Sequence, residues 1–270
     1  MEVKLKDSTF RKLKKVFYEL TGIELKEKKY LVENRLAKYI GEDRAYKTYE
    51  EFYEAVLKDK TGEVKNLLVQ SLVTNYTFFF RDPIHFAFVR WYIRNFYNQQ
   101  EYLHIWSNGC STGEEAYSIV ISALLEKPDL SNEKFKVLAT DVSKENIQKA
   151  IKGTYESWKM SYVKSKKNIL HGFFQYHSSE DFYIVKPQVR SFVYFRILNV
   201  LSPYPFTKEF DIVFLRNVLI YFDQSEREEI INKIYHFTKR NGYLVLGLSE
   251  NLIGITSPFK PLKYSIYKKT

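Results

Sequence analysis

The sequence predicts an α/β protein: a mostly parallel sheet covered by helices, with a small antiparallel β insertion, preceded by a small all-α domain. Three observations predict it. Up to about residue 70 apolar side chains recur only at helical spacing. After about residue 100 strand-like and helix-like segments alternate. Between residues 155 and 198 that alternation lapses into short two-residue patterns.

The elements follow in order. FRKLKKVFYEL places Phe10, Leu13, Phe17 and Leu20 on one helical face, and Thr21-Gly22 ends it. KKYLVENRLAKYI predicts a second amphipathic helix, apolar at Leu31, Leu36 and Ile40 and basic at Lys28, Lys29, Arg35 and Lys38. YEEFYEAVLKD and VKNLLVQSLV predict two more. No strand pattern interrupts them, so residues 1–75 are expected as one all-α domain and residues 76–100, which contain most of NYTFFFRDPIHF, as a linker. Residues 101–270 are then a sheet domain. Its strands are YLHIWSN, FKVLATDV, FDIVFL, YLVLGLS and PLKYSIYKK; its helices are GEEAYSIVISALLEK, KENIQKAIKG and SEREEIINKIYHFTK. The last two strands are joined by NLIGITSPF, which has no helix pattern and favours an antiparallel edge hairpin. FYIVKPQVRSFVYFRILN reads as short strands of the insertion, expected at about residues 160–195.

Bulk composition narrows the classes. The chain has 270 residues, 45% of them hydrophobic, enough for one large domain and a smaller one. A net charge of +10 is accounted for by a lysine-rich surface, which also attracts acidic partners; no nucleic-acid partner is expected. Cys110 is the single cysteine, so no intramolecular disulfide forms and a reducing compartment fits. No apolar run reaches the roughly 18 residues that span a bilayer, and MEVKLKDSTF lacks a signal-peptide core. A cytoplasmic location without membrane insertion is expected.

WSNGCSTGEEAYSI reads as a strand, a Gly-bearing turn and a helix start. Parallel sheets bind ligands at such strand ends. One reading is structural: Ser111 or Thr112 caps the helix, with Glu114 or Glu115 completing a capping box. The other is functional. A pyrophosphate would be repelled by two glutamates, and the turn lacks both G-x-G-x-x-G and a P-loop lysine. A ligand with positive charge and no phosphate, such as S-adenosylmethionine, would be attracted. Asp141 ends the second strand, where an acid accepts hydrogen bonds from ribose hydroxyls; its alternative role is an N-cap. Arg216, Asn217 and Tyr221 follow a buried strand, where polar groups are well placed for a cofactor; the ordinary roles are loop solvation for Arg216 and an N-cap for Asn217. Asn75, Thr77 and Arg81 surround three phenylalanines, and Arg81 can hold a carboxylate bidentately or pair with Asp82. Cys110 has no neighbour suggesting a nucleophile pair and reads as a small packing residue.

Taken together, these stretches resemble the chemotaxis receptor methyltransferases of the CheR type. NYTFFFRDPIHF is similar to the family's TNET-x-FFRD-x-x-x-F, WSNGCSTGEEAYSI to WSAACSTGEEPYSI, and LATDVSKENIQKAIKGTY to ATDI-x(n)-A-x-x-G-x-Y. FDIVFLRNVLIYFD resembles FD-x-I-F-C-RNVLIYF, GYLVLGLSENL resembles GGYLFLGHSE-x-L, and TGIELKEKKYLVENRL resembles the family's N-terminal domain. The resemblance implies a Rossmann-like class I methyltransferase sheet and S-adenosylmethionine as donor, with S-adenosylhomocysteine as product. It implies a glutamate side chain of a chemoreceptor's cytoplasmic helical domain as acceptor, giving a methyl ester in chemotaxis adaptation. By motif, the cofactor contacts are Asn75, Thr77, Arg81, Glu115, Asp141, Asn199, Val200, Asn217 and Val218. Arg81 and Tyr221 are the candidates for orienting the acceptor carboxylate, and Lys29, Arg35 and Lys38 for meeting the receptor. No metal is expected. Tyr76 stands where the family has an acid, GFFQ where it has RYF, and KRNGYL lacks its Pro; the GFFQ change bears on receptor docking. Two alternatives remain open at this level: a methyltransferase of the same fold with another protein or small-molecule acceptor, and a non-catalytic adaptor that binds the cofactor. A nucleic-acid methyltransferase is disfavoured, because RNVLIY stands where an Asn/Asp-Pro-Pro-aromatic cue is needed.

Overall fold

The computed structural model describes residues 3–98 and 101–270. The expected domain limits at residues 1 and 100 lie outside them. The chain divides into two compact units, Met1–Thr74 with Ser143–Glu145, and Asn75–Val142 with Asn146–Thr270.

The first unit is built from α1 (Asp7–Thr21), α2 (Lys29–Leu36), α3 (Tyr49–Lys58) and α4 (Glu63–Leu72). Phe10, Leu13 and Phe17 of α1 are buried at helical spacing. Gly22 stops that helix at φ 73°, a conformation that favours glycine, and its N–H bonds to Tyr18 O at 2.7 Å. The second helix is shorter than its apolar pattern suggests: after Leu36 it tightens into a 3-10 turn, Ala37–Tyr39. Val32 and Leu36 carry its buried face, while Leu31 is only half-buried. These side chains meet Phe52, Val56, Leu68 and Leu72 in one core.

The second unit opens with α5 (Pro83–Phe96), inside the segment expected to be a linker. Pro83 supplies the fixed φ of a first helical turn, and His85, Phe86, Val89 and Ile93 form a buried stripe. The aromatic run and the proline in FFFRDPIHF masked this periodicity.

The unit then runs β1 (Leu103–Asn108), α6 (Glu114–Glu126), β2 (Phe135–Asp141), α7 (Lys144–Lys152) and β3 (Thr154–Glu156). The insertion continues through α8 (Ser161–Lys164), α9 (Lys167–Phe173), β4 (Phe174–His177), β5 (Phe182–Val185) and α10 (Pro187–Arg190). The main sheet resumes with β6 (Val193–Ile197), β7 (Phe210–Leu215), α11 (Gln224–Phe237), β8 (Thr238–Leu246), β9 (Lys260–Pro261) and β10 (Ile266–Lys268).

The main sheet has the order β6-β2-β1-β7-β8-β10-β9, and the small sheet the order β3-β5-β4, antiparallel throughout. The first five strands of the main sheet are parallel, and β10 lies antiparallel to β8 as an edge hairpin would. All six residues of β7 are buried, as expected for a strand covered on both faces. Two details differ from the sequence reading. The stretch FVYFRI belongs to the main sheet, with Val193 beside Val137 of β2. Its half-exposed alternation reflects an edge position, which mimics the pattern of a free-standing insertion. The final expected strand is split, because Tyr264 and Ser265 turn at φ 62° and 54° between β9 and β10.

Candidate functional site

The order of strands reverses on either side of β1, so its carboxyl end and those of β2 and β7 border the crevice where such sheets bind ligands. The turn after β1 is held against β2 by backbone: Gly109 N and Cys110 N both donate to Thr140 O at 2.8 Å. Gly109 sits at φ 76°, and a Cβ there would overlap Val218 Cγ2, so only glycine lets the turns after β1 and β7 close together. The helix that follows is capped by Gly113 with no side-chain hydrogen bond. The capping-box expectation is therefore corrected: Thr112 Oγ1 turns to the Glu114 carboxylate, at 2.9 and 2.8 Å from its two oxygens, and not to the backbone.

Both glutamates of the turn are neutralised inside the protein. Glu114 is fully buried and pairs with Lys159 Nζ, which also donates to Thr112 Oγ1 at 2.8 Å. Burial pushes the Glu114 carboxyl up, and the Lys159 ammonium opposes the shift. Glu115 accepts from Ser107 Oγ at 2.7 Å and from Arg216 at 3.0 Å. Burial raises this carboxyl too, against the pull of Arg216, Ser107 and the Arg81 guanidinium. Arg216 is no solvated loop residue. Its side chain is 2% exposed and it donates at 2.6 Å both to Arg81 O and to Asp82 Oδ2.

Asp141, 7% exposed, closes the second strand. Ser111 N donates to one of its oxygens at 2.9 Å and Asn146 Nδ2 to the other at 3.0 Å. The same Asn146 amide lies 2.8 Å from Asn75 Oδ1, so Asn75 and Asp141 meet through Asn146. Leu198 N donates to Asp141 O at 3.0 Å, which sets the Asn199-Val200 turn beside this strand end. There Asn199 Oδ1 accepts from Leu201 N at 2.9 Å and Val200 O from Tyr204 Oη at 2.9 Å.

Arg81 is carried by a segment nailed down on either side. Phe79 packs edge-on against Tyr155 and Phe174, Phe80 against Phe86, and Phe80 N donates to Ser118 Oγ at 3.0 Å. Thr77 is buried in the same segment. The Arg81 guanidinium donates to Tyr76 O at 3.0 Å and stands 5.9 Å over the Tyr76 ring. Phe80, Asp82, Ser111 and Asn217 all have left-handed backbone, φ 57°, 58°, 49° and 58°. Such residues cost of order 1 kcal/mol each and persist where surrounding contacts over-determine them.

Tyr221 ends a 3-10 turn, Leu219–Tyr221, and is half-buried; no hydrogen bond joins its phenol to Arg81 among the described residues. The three basic residues of α2 and its extension do not form one free stripe. Lys29 pairs with Asp7 at 2.5 Å, and Lys38 is exposed over the Tyr39 ring. Arg35 donates to Leu72 O at 2.8 Å and Val73 O at 3.3 Å, and so caps the end of α4. Cys110 is buried, and burial beside Asp141 and Glu115 pushes its thiol up, in keeping with a packing role. Among the described residues no three His, Cys, Asp or Glu side chains gather as a metal site, and no helix is long and apolar enough to cross a membrane.

Sequence reasoning missed Lys159, Asn146 and Glu250, and left Arg216 between a place beside the cofactor and loop solvation. Lys159 and Asn146 carry no local signal. Glu250 does: it stands within the GLSENL stretch that follows β8.

The Asp141 carboxylate at the strand end is an acceptor, which suits the hydroxyls of an uncharged ribose better than a phosphate. Ser111 Oγ beside it is buried with no partner. A cavity of about 500 Å³ opens next to the turn, with Asn75, Thr112, Tyr155, Trp158 and Lys159 in its wall.

Comparison with known proteins agrees with this geometry. Residues 75–268 match the family described as CheR methyltransferase, SAM binding domain, and residues 8–72 match CheR methyltransferase, all-alpha domain. A chemotaxis protein methyltransferase of Borreliella burgdorferi is 32% identical, covering 94% of this chain and 92% of the relative. Chemotaxis protein methyltransferase Cher2 of Pseudomonas putida is 34% identical over 93% of each chain. The chemotaxis protein methyltransferase of Escherichia coli is 29% identical over 97% of this chain and 91% of its own. With both units matched in order and relatives aligned along nearly their whole length, the chain belongs to the CheR methyltransferase family, and its second unit is that family's S-adenosylmethionine-binding domain.

Proposed function

We propose that this protein esterifies glutamate side chains on the cytoplasmic helical domain of chemoreceptors, and that it works in the cytoplasm. One observation carries the reading: the family match runs through the all-α unit as well as the cofactor domain, so the chain is like the chemotaxis enzymes in its whole layout. The chemistry of the turn agrees, since the Asp141 carboxylate at its strand end suits hydroxyl donors better than a phosphate.

In this proposal Asp141 takes the ribose hydroxyls. Asn75, Thr77, Glu115, Asn199, Val200, Asn217 and Val218 line the rest of the cofactor, with Arg81 on its carboxylate or on the acceptor. When bound, S-adenosylmethionine would supply an electrophilic methyl group on a sulfonium, the methyl–sulfur bond giving way to a methyl–oxygen bond on the acceptor carboxylate with S-adenosylhomocysteine as the leaving group. The protein's own residues need not remove a proton, because a free glutamate with a pKa of about 4.3 is already ionised near pH 7. Their work is to hold the acceptor in line and keep water out. Tyr221 and Arg81 are the proposed orienting groups. Arg216 opposes the burial that raises the Glu115 carboxyl and holds that side chain in place together with Ser107. Docking of an acidic receptor falls to Lys38, and to Lys29 where a receptor carboxylate replaces the exposed Asp7, since the carbonyls at the end of α4 already engage Arg35.

The test uses methyl-labelled S-adenosylmethionine and a receptor cytoplasmic fragment. Label that alkali releases as methanol is expected. Cofactor binding without such label would send the search to another acceptor or to an adaptor role.

A further inference from the structure

We propose that Glu250 is a positioning residue for the cofactor site and acts through the Asn217-Val218 turn. The inference rests on the reading that this turn contacts the cofactor. Glu250 lies just past β8 and is 5% exposed. One of its oxygens, Oε2, accepts from Asn217 N at 2.6 Å and from Gly247 N at 2.8 Å. A single carboxylate oxygen therefore ties the carboxyl ends of β7 and β8 together. The loop carrying it is itself fixed, because Glu250 N donates to Gly247 O at 2.8 Å and Ser265 Oγ donates to Glu250 O at 3.0 Å.

The peptide it grips is the one that needs gripping. Asn217 stands at φ 58°, in the left-handed region that few non-glycine residues adopt and Asn tolerates best, so its peptide is turned out of the strand direction. A charge-assisted bond to its N–H fixes the orientation of that peptide. The next residue, Val218, fills the space directly above Gly109, so a shift at Asn217 is passed to the turn after β1. Gly247 completes the joint: a Cβ there would come within 2.8 Å of both Asn217 Nδ2 and Glu250 Oε2. The second oxygen, Oε1, is buried with no partner, and no ion pair reaches Glu250 among the described residues. A buried carboxylate balanced by backbone N–H groups alone is explained by the backbone it holds. It has no cationic side chain to neutralise.

The experiment is calorimetric binding of S-adenosylhomocysteine to the full chain, with thermal unfolding recorded for every variant. Glu250→Ala should bind about tenfold more weakly, and Glu250→Gln, which keeps an acceptor oxygen, should stay within about threefold of wild type. In the double variant with Asn217→Ala the two losses should not add, because both act on one turn. Folded Glu250→Ala with wild-type affinity, Glu250→Gln as weak as Glu250→Ala, or full additivity would each overturn the proposal. If Glu250→Ala does not fold, Gly247→Ala disturbs the same joint with Glu250 in place. It should weaken binding likewise, and normal affinity would count against the idea. If Asn217→Ala and Glu250→Ala both bind normally, the reading of the Asn217 turn fails. Loss in Asn217→Ala alone removes only Glu250.

Discussion

Arg216 concentrates more of the site's electrostatics than any other side chain described here, joining Glu115, Asp82 and the Arg81 carbonyl while almost wholly out of water. Removing it strands a buried carboxylate. Arg216→Met should therefore lower unfolding free energy by about 3–5 kcal/mol, measured by urea denaturation. Lysine should not restore it, since one ammonium cannot reproduce the planar fork; a stable Arg216→Lys would contradict this account. Asp141→Ala should weaken cofactor binding, and unchanged affinity would take Asp141 out of the site. His85 gives a pH signature. It is fully buried, donates from Nε2 to Tyr264 O at 2.8 Å, and is held down to about 4 by burial and by the Arg216 charge. In the unfolded chain it titrates near 6.5, so the unfolded state binds the extra proton between these values. Its contribution is complete above pH 6.5 and is lost as pH falls to about 4, by up to about 3 kcal/mol. Stability at pH 7.5 minus that at pH 5 should be smaller in His85→Gln than in wild type; equal differences would show that His85 does not titrate in this way.

At the scale of elements, what could be read in advance was what is local. The Gly-bearing turn after β1, the acid closing β2 and the apolar run of β7 are signals a few residues long. Partners brought from afar were invisible: Lys159 lies 45 positions from Glu114, and Asp82 lies 134 from Arg216. Helix α5 was hidden by its aromatics, and β6 by an edge pattern that resembles an insertion strand. The basic face of α2 was legible as charge but not as geometry. Since Arg35 caps α4, Arg35→Glu should destabilise the all-α unit itself. Lys29→Glu with Lys38→Glu is the cleaner probe of docking. It should slow receptor methylation severalfold and leave the melting temperature and cofactor affinity near wild type; normal methylation would remove this face from the interface.

Over the whole molecule, a net charge of +10 faces a proposed acceptor that is acidic. Attraction of that kind acts over a screening length of about 10 Å at 0.1 M salt. KM for the receptor fragment should rise steadily between low and high ionic strength while kcat changes little. A KM indifferent to salt would mean that docking does not draw on the basic surface.

Cys110, the only cysteine in the chain, is 1% exposed, and its surroundings disfavour the thiolate. A thiol reagent should thus read the intact protein as if it had no cysteine at all, and should react only as the chain unfolds. A spin label or fluorophore could then be attached to one engineered surface cysteine without background, with Cys110 left in its turn as a silent internal reporter of opening.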